Sequence, residues 1–201
     1  MENLLQMISL NIFAKCPNTG NPKQRMSKLL DKKGRIDLAK IMLKNIIEEI
    51  HNMNISLKIN LWVYPNVDDE WINNLSKKYF ITLRKQIGTS LCSRMQNCLL
   101  SESALVGKTL LIGSDIPTLS KTSILEAIKT LNDNDIVIGP TYDEGFYLIG
   151  VNVQESAQCL ANCENLKNYK DIIKMKSLTN QKIHLLEKLK DIDNPNDLLL
   201  L

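Results

Sequence analysis

Short apolar runs alternate with longer segments whose apolar residues recur every three or four positions, and the alternation continues along most of the chain. ISLNIFA (Ile8–Ala14), LKINLWVY (Leu57–Tyr64), YFITLRKQ (Tyr79–Gln86), Lys108–Gly113, DIVIGP and GFYLIGVN read as strands. Between them, Ile36–Met53 places Leu38, Ile41, Met42, Ile46, Ile47 and Ile50 at helical spacing. DDEWINNLSKKY is a helix with acidic residues in its first turn, where the helix dipole favours them. Thr89–Ala104 is a third helix, with Thr89 or Ser90 as its cap, and Ser120–Asp133 a fourth, capped by Ser120. A mostly polar helical region runs from Gln154 to about Ser177. KIHLLEKLKDI then leads into a turn and a short terminal helix.

Strand and helix in alternation predict an α/β fold: a mainly parallel sheet covered by helices on both faces, a three-layer αβα sandwich. The tight pair at Asp135–Val151, joined by the turn TYDE, predicts a local antiparallel excursion. No linker or internal repeat divides the chain, so one domain is expected. In open sheets of this class, ligands bind beyond the carboxyl ends of the strands.

Composition narrows the function classes. The 201 residues carry 25 Lys and Arg against 22 Asp and Glu, a net charge of +3, too mild to argue for nucleic acid. Five cysteines and two histidines without a CxxC pair argue against a zinc site. No apolar run reaches transmembrane length, and the expectation is a soluble, reduced, cytoplasmic protein. His51 and His184 stand beside no nucleophile motif, which disfavours a Ser/His/Asp or Cys/His hydrolase.

Four loops hold the candidate chemistry. FAKCPNTGNPKQR brings Lys15, Lys23 and Arg25 together around Gly20, as a phosphate cradle or a solvated basic loop would; neither a Walker A nor a GxGxxG motif is present. In GSDIP the helix cap falls to Ser120, so Asp115 is either a turn residue or a ligand to a hard cation. Asp143 in TYDEG fits an ordinary hairpin turn. In KDIDNPNDL, Asp197 or Asn194 serves as a cap for a terminal helix, which leaves Asp193 unexplained.

In order, FAKCPNTGNPKQR, IGTSLCSRM, LLIGSDIPTLS, DIVIGPTYDEGFYLIG and DIDNPNDL resemble the blocks of one family, from Asn11 to Leu198. It is the largely uncharacterised glycosyltransferase-like family of small bacterial proteins with the nucleotide-diphospho-sugar transferase (GT-A) fold, related to molybdopterin and phospholactate nucleotidyltransferases. The resemblance implies that Lys15, Gly20, Lys23 and Arg25 contact nucleotide phosphates, with Arg94 helping. It implies Asp115 and Asp193 as ligands of Mg²⁺ or Mn²⁺, and Asp143 on the acceptor side as a base or hydrogen-bonding group. The implied reaction is glycosyl or nucleotidyl transfer from a nucleotide-activated donor to a small acceptor, with Asp115 and Asp143 catalytic.

Gln24, Cys92, Glu144 and Phe146 depart from the family pattern, and its tryptophan-containing segment is not recognisable in 152–176. A catalytically degenerate nucleotide-binding or regulatory protein is therefore the alternative. An interaction scaffold without a small ligand would leave the clustered cations and the strand-end carboxylates without a purpose.

Overall fold

The computed structural model describes residues 8–160, 168–195 and 197. Its strands are β1 (Ile8–Lys15), β2 (Leu57–Tyr64), β3 (Thr82–Lys85), β4 (Thr109–Gly113), β5 (Ile136–Pro140), β6 (Phe146–Val151) and β7 (Ile183–Leu185). Its α-helices are α1 (Lys32–His51), α2 (Glu70–Lys78), α3 (Leu91–Val106), α4 (Lys121–Thr130) and α5 (Tyr169–Thr179), with short 3₁₀ turns at Gln24–Met26 and Glu155–Leu160. The seven strands form one sheet in the order β3-β2-β1-β4-β6-β5-β7. All neighbours run parallel except β6, which is antiparallel to both β4 and β5. The mainly parallel α/β architecture and the antiparallel excursion thus stand as the hydrophobic pattern predicted.

The chain proceeds outward from β1 to β2 and β3, then returns to place β4 on the other side of β1. That reversal opens a crevice at the carboxyl ends of β1 and β4. β1 is covered on both faces and reads as an apolar run, as an interior parallel strand must. One face of the sheet packs Leu10, Ile12, Leu61, Leu110 and Ile112 with Leu43, Ile46 and Ile47 of α1 and Ile124 of α4. The other packs Phe13, Trp62, Leu111 and Ile149 with Leu99 of α3 and Ile172 of α5. A third cluster joins Met26, Leu38, Met42 and Ile192, so that the loop after β1 and the C-terminal segment are anchored to the same spot on α1.

Local chemistry explains where boundaries moved. α1 starts before Ile36, because Asp31 caps it by accepting from the Gly34 N–H at 2.7 Å. Its buried stripe includes Leu43 and leaves Ile41 more than half exposed, which corrects the stripe expected from spacing. β3 is shorter than the run Tyr79–Gln86, because Phe80 adopts a left-handed φ of 53° and sits almost fully in solvent. Ser90 and Ser120 cap α3 and α4 as expected, each accepting from the N–H three residues on. The terminal helix expected after Asp193 falls largely outside the described residues. Cys16 and Cys98 are buried free thiols, whereas Cys92 is disulfide-bonded, which corrects the fully reduced expectation. No helix among the described residues is long and apolar enough to cross a membrane.

Candidate functional site

At the carboxyl ends of the strands lies a cleft of about 610 Å³, within the range that accommodates a small-molecule ligand. Seven of the eight residues singled out from the sequence line it: Lys15, Lys23, Arg25, Arg94, Asp115, Asp143 and Asp193. Gly20 does not. A Cβ there would stand 2.7 Å from the Cys16 carbonyl and 2.9 Å from that of Tyr64, so this glycine serves the tight fold of the loop against the strand ends. The loop is pinned further by Asp69, the cap of α2, whose carboxylate accepts from Asn18 Nδ2 at 2.6 Å and from the Cys16 thiol at 3.4 Å.

Lys23 is the most confined of the cations. Its backbone takes a left-handed φ of 51° and its side chain is only 4% exposed. The ammonium donates to the Ile192 carbonyl at 2.7 Å and pairs with Asp115 Oδ1 at 2.5 Å. Ile192 N–H in turn donates to the Asp115 carbonyl at 3.0 Å. Three separate loops are thereby locked together by one buried charge. Asp115 is free of helix capping, as the sequence predicted, but it is held by Lys23, a pairing that 92 residues of separation concealed.

Arg25 pairs with Asp193 above this lock. Asp193 and Asn194 donate their N–H groups to the buried Asp197 carboxylate at 3.1 and 2.8 Å, which fixes the turn. Asp197 thus holds Asp193 in place. Asp191 and Asp193 line the cleft while Ile192 between them is fully buried.

Asp191 is the acidic residue that the sequence reading passed over. Oxygens of Asp143, Asp191 and Asp193 lie within 4.8 Å of one another. Burial first, and then the neighbouring charges of Asp143, Asp193 and Asp115, raise the Asp191 carboxyl above its ordinary value. Alternation of two aspartates about one isoleucine in KDIDN was the available signal. Asp115 is not in this trio, although it was expected to share a metal with Asp193.

Asp143 both shapes its turn and lines the cleft. Its Oδ1 accepts from Thr141 Oγ1 and from the Gly145 N–H. Glu144 takes the left-handed conformation with φ 71° and turns its carboxylate to Lys170, outside the cleft lining. The close approach available to a glycine is used by Gly145, where a Cβ would meet Thr141 Oγ1 at 2.9 Å.

At the opposite end of the cleft, the Arg94 guanidinium stacks on the Tyr64 ring at 3.9 Å. Its Nε is buried without a hydrogen-bond partner among the described residues. Beside it, Gln86 Nε2 donates to the Ala14 and Trp62 carbonyls at 3.2 and 2.9 Å, which caps the ends of β1 and β2. Tyr64 and Gln86 were also passed over: neither residue type marks a site in sequence, and only the sheet order brings them to the cleft.

The donor set can be tested for fit to a divalent cation. Three carboxylates converging on one point supply the hard oxygen ligands that Mg²⁺ or Mn²⁺ takes, and a cation would relieve their mutual repulsion. The residues fit.

No curated protein matches this sequence. Solved structures with the same fold include a Desulfovibrio desulfuricans G20 protein provisionally named a nucleotide-diphospho-sugar transferase. It has 19% identity and a TM-score of 0.81 over 93% of this chain and 82% of that one. The 4-diphosphocytidyl-2C-methyl-D-erythritol synthase of Anaerococcus prevotii DSM 20548 has 14% identity and a TM-score of 0.67, over 96% and 93% of the two chains. A CMP:2-keto-3-deoxy-manno-octonic acid synthetase complexed with CTP has 10% identity and a TM-score of 0.57, over 96% of each chain. At these identities the likeness establishes the fold, the one that the five sequence blocks implied. Residues 51–165, more than half of the chain, match the model of a family described as uncharacterized protein conserved in bacteria, and the chain belongs to that family, DUF2064.

Proposed function

We propose that the protein is a metal-dependent transferase that uses a nucleotide-activated donor, in glycosyl or nucleotidyl transfer to a small acceptor. The observation that carries this reading is the convergence of cations and carboxylates from four loops on one cleft, at the strand ends of a fold shared with nucleotide-using transferases.

Lys15 and Arg94 are the cations of the cleft without an acidic partner among the described residues, and they are assigned to the donor phosphates. Asp143, Asp191 and Asp193 would hold Mg²⁺ or Mn²⁺. When bound, the ion neutralises charge that grows on phosphate oxygens during transfer. Lys23 keeps Asp115 aimed at the cleft, and Asp115 orients the donor beside the trio. Asp143 stands on the acceptor side of the trio, where its anchored carboxylate would accept a hydrogen bond from the acceptor. The degenerate alternative drew on Glu144 and on the unrecognised segment 152–176; Glu144 pairs with Lys170 outside the cleft lining, which supports the active reading on the first of these counts.

The test is thermal stabilisation by UDP-, GDP- and CDP-sugars and by the nucleoside triphosphates, with and without Mg²⁺ or Mn²⁺. A ligand at a hundred times its Kd adds about 2.7 kcal/mol, which is a rise of several degrees in Tm. The expected result is such a rise with one nucleotide class, larger with metal, and a loss of the metal increment in Asp193→Asn. Absence of a shift with every nucleotide refutes the reading.

A further inference from the structure

Gly113 ends β4 and lines the cleft, and nothing in the fold requires it to be glycine. A Cβ built on it meets no atom within 4 Å, and its φ lies outside the left-handed region. The contrast with other glycines is sharp. Added carbons at Gly20, Gly139, Gly145 and Gly150 would lie within 3 Å of a neighbour. Glycine at a strand position loses more conformational entropy on folding than alanine and weakens the strand. A glycine kept where the fold has room for a side chain marks a place where something else comes close to the backbone.

The order of strands across the cleft places Gly113 relative to the cations. Arg94, Tyr64 and Gln86 stand over the ends of β2 and β3, and Lys15 ends β1. Gly113 ends β4, beyond Lys15, and Phe146 and Asp143 follow on the β6 side. A donor whose phosphates meet Lys15 and Arg94 has one end that passes Lys15 on the β4 side, and that end lies over Gly113. In the register, Gly113 is the direct neighbour of Phe13, and Leu111 shares their face of the sheet. The floor is apolar, with Ser114 and Asp143 lining the same cleft as hydroxyl partners. Apolar faces with hydroxyl edges are the chemistry of a sugar ring.

We infer that Gly113 is the floor on which the sugar ring of a nucleotide-sugar donor lies, and that the ligand rather than the fold excludes a side chain there. This rests on the transferase reading above. It selects glycosyl-bearing donors over bare nucleotides and makes Gly113 a specificity-determining residue.

The test uses Gly113→Ala and Gly113→Val in the full chain. Both Tm values are expected at or above that of the parent, because a strand gains from either residue and no atom obstructs the Cβ. Binding is then measured for UDP against UDP-glucose, GDP against GDP-mannose and CDP against CDP-glucose. The expected result is that Gly113→Val weakens the sugar conjugate at least tenfold and leaves the bare diphosphate unchanged, with Gly113→Ala intermediate. Equal weakening of diphosphate and conjugate, or no weakening of either, overturns the inference and leaves the transferase reading standing. If no nucleotide binds the parent protein, the transferase reading fails, and the inference falls with it.

Discussion

The Lys23–Asp115 pair makes an asymmetric prediction, because its two members differ in burial. The lysine side chain is 4% exposed and the aspartate 51%. Lys23→Met keeps the apolar stem and loses the bond to the Ile192 carbonyl, a charged hydrogen bond contributing about 1.5–3 kcal/mol. The freed Asp115 is half in water already and is solvated at little cost. The expected destabilisation is about 2 kcal/mol, or a Tm lower by roughly 4–8 °C for a chain of this size. Asp115→Asn leaves the ammonium buried with only neutral oxygens around it. Removing one partner of a buried pair costs about 3–5 kcal/mol, and the asparagine oxygen can still accept, so about 3 kcal/mol is expected. The double variant has no stranded charge and returns to about 2 kcal/mol, which gives a coupling of about 3 kcal/mol. Urea unfolding followed by far-UV circular dichroism measures all four proteins. Additive single losses, or Asp115→Asn costing less than Lys23→Met, would refute the claim that the lysine is the buried partner that locks the three loops.

Glu144→Gly removes an exposed, solvent-screened pair with Lys170 and relieves a left-handed non-glycine residue that costs about 1 kcal/mol. Its stability is therefore expected to stay within about 1 kcal/mol of the parent, with nucleotide stabilisation unchanged; loss of that stabilisation would put Glu144 in the site. Burial, and then the charges of Glu126 and Glu187, push the Tyr147 hydroxyl up to about 12 from the ordinary 10.0. Its neutral form is favoured in the fold, so stability is full below the ordinary value and falls as pH rises from there towards about 12. Absorbance titration should show one tyrosine ionising last, and Tyr147→Phe should lose this part of the alkaline decline; ionisation of all five tyrosines together would contradict the burial. Burial alone would raise the Asp69 carboxyl, but bonds from the Ile72 N–H, Cys16 and Asn18 outweigh it and hold it below 3.8. Its contribution is complete above that value and is lost as pH falls through the lowered one. Asp69→Asn keeps the cap, since asparagine caps about as well, but loses the charged acceptor for Asn18 and Cys16, so about 1 kcal/mol is expected at neutral pH, with a gap that closes in acid; calorimetry at pH 7 and pH 3 decides, and a constant gap would count against the carboxylate.

What the sequence discloses, and what it conceals, follows from the range of each interaction. β2 was readable at both ends, because an apolar run stopped by Pro65 is local information. Ser90 and Ser120 were readable for the same reason, since a cap acts within three residues. The strand-end rule then placed Lys15, Asp115 and Asp143 at one cleft without any knowledge of contacts, since the fold class alone dictates where strand ends go. Pairing is a different matter. Whether Asp115 faces a cation from solvent or from this chain depends on Lys23, which arrives from another loop through a left-handed residue that no propensity favours. Asp191 was hidden because nothing local sets it apart from Asp193 and Asp197 around the same proline, and only the burial of Ile192 and Asp197 shows which two reach the cleft.

Gly113 lies between these cases. Its motif was visible, but its meaning required every other reason for a glycine to be excluded in three dimensions. The residues whose identity the fold does not explain are the ones left for the ligand to explain. In this cleft Gly113, the three gathered carboxylates and an arginine whose Nε has no acceptor among the described residues meet that condition together. Under the proposed reading, the apolar floor, the carboxylate trio and the guanidinium would meet the sugar, the metal and the phosphate of one donor, whereas a protein that merely bound nucleotide would need only the last of them.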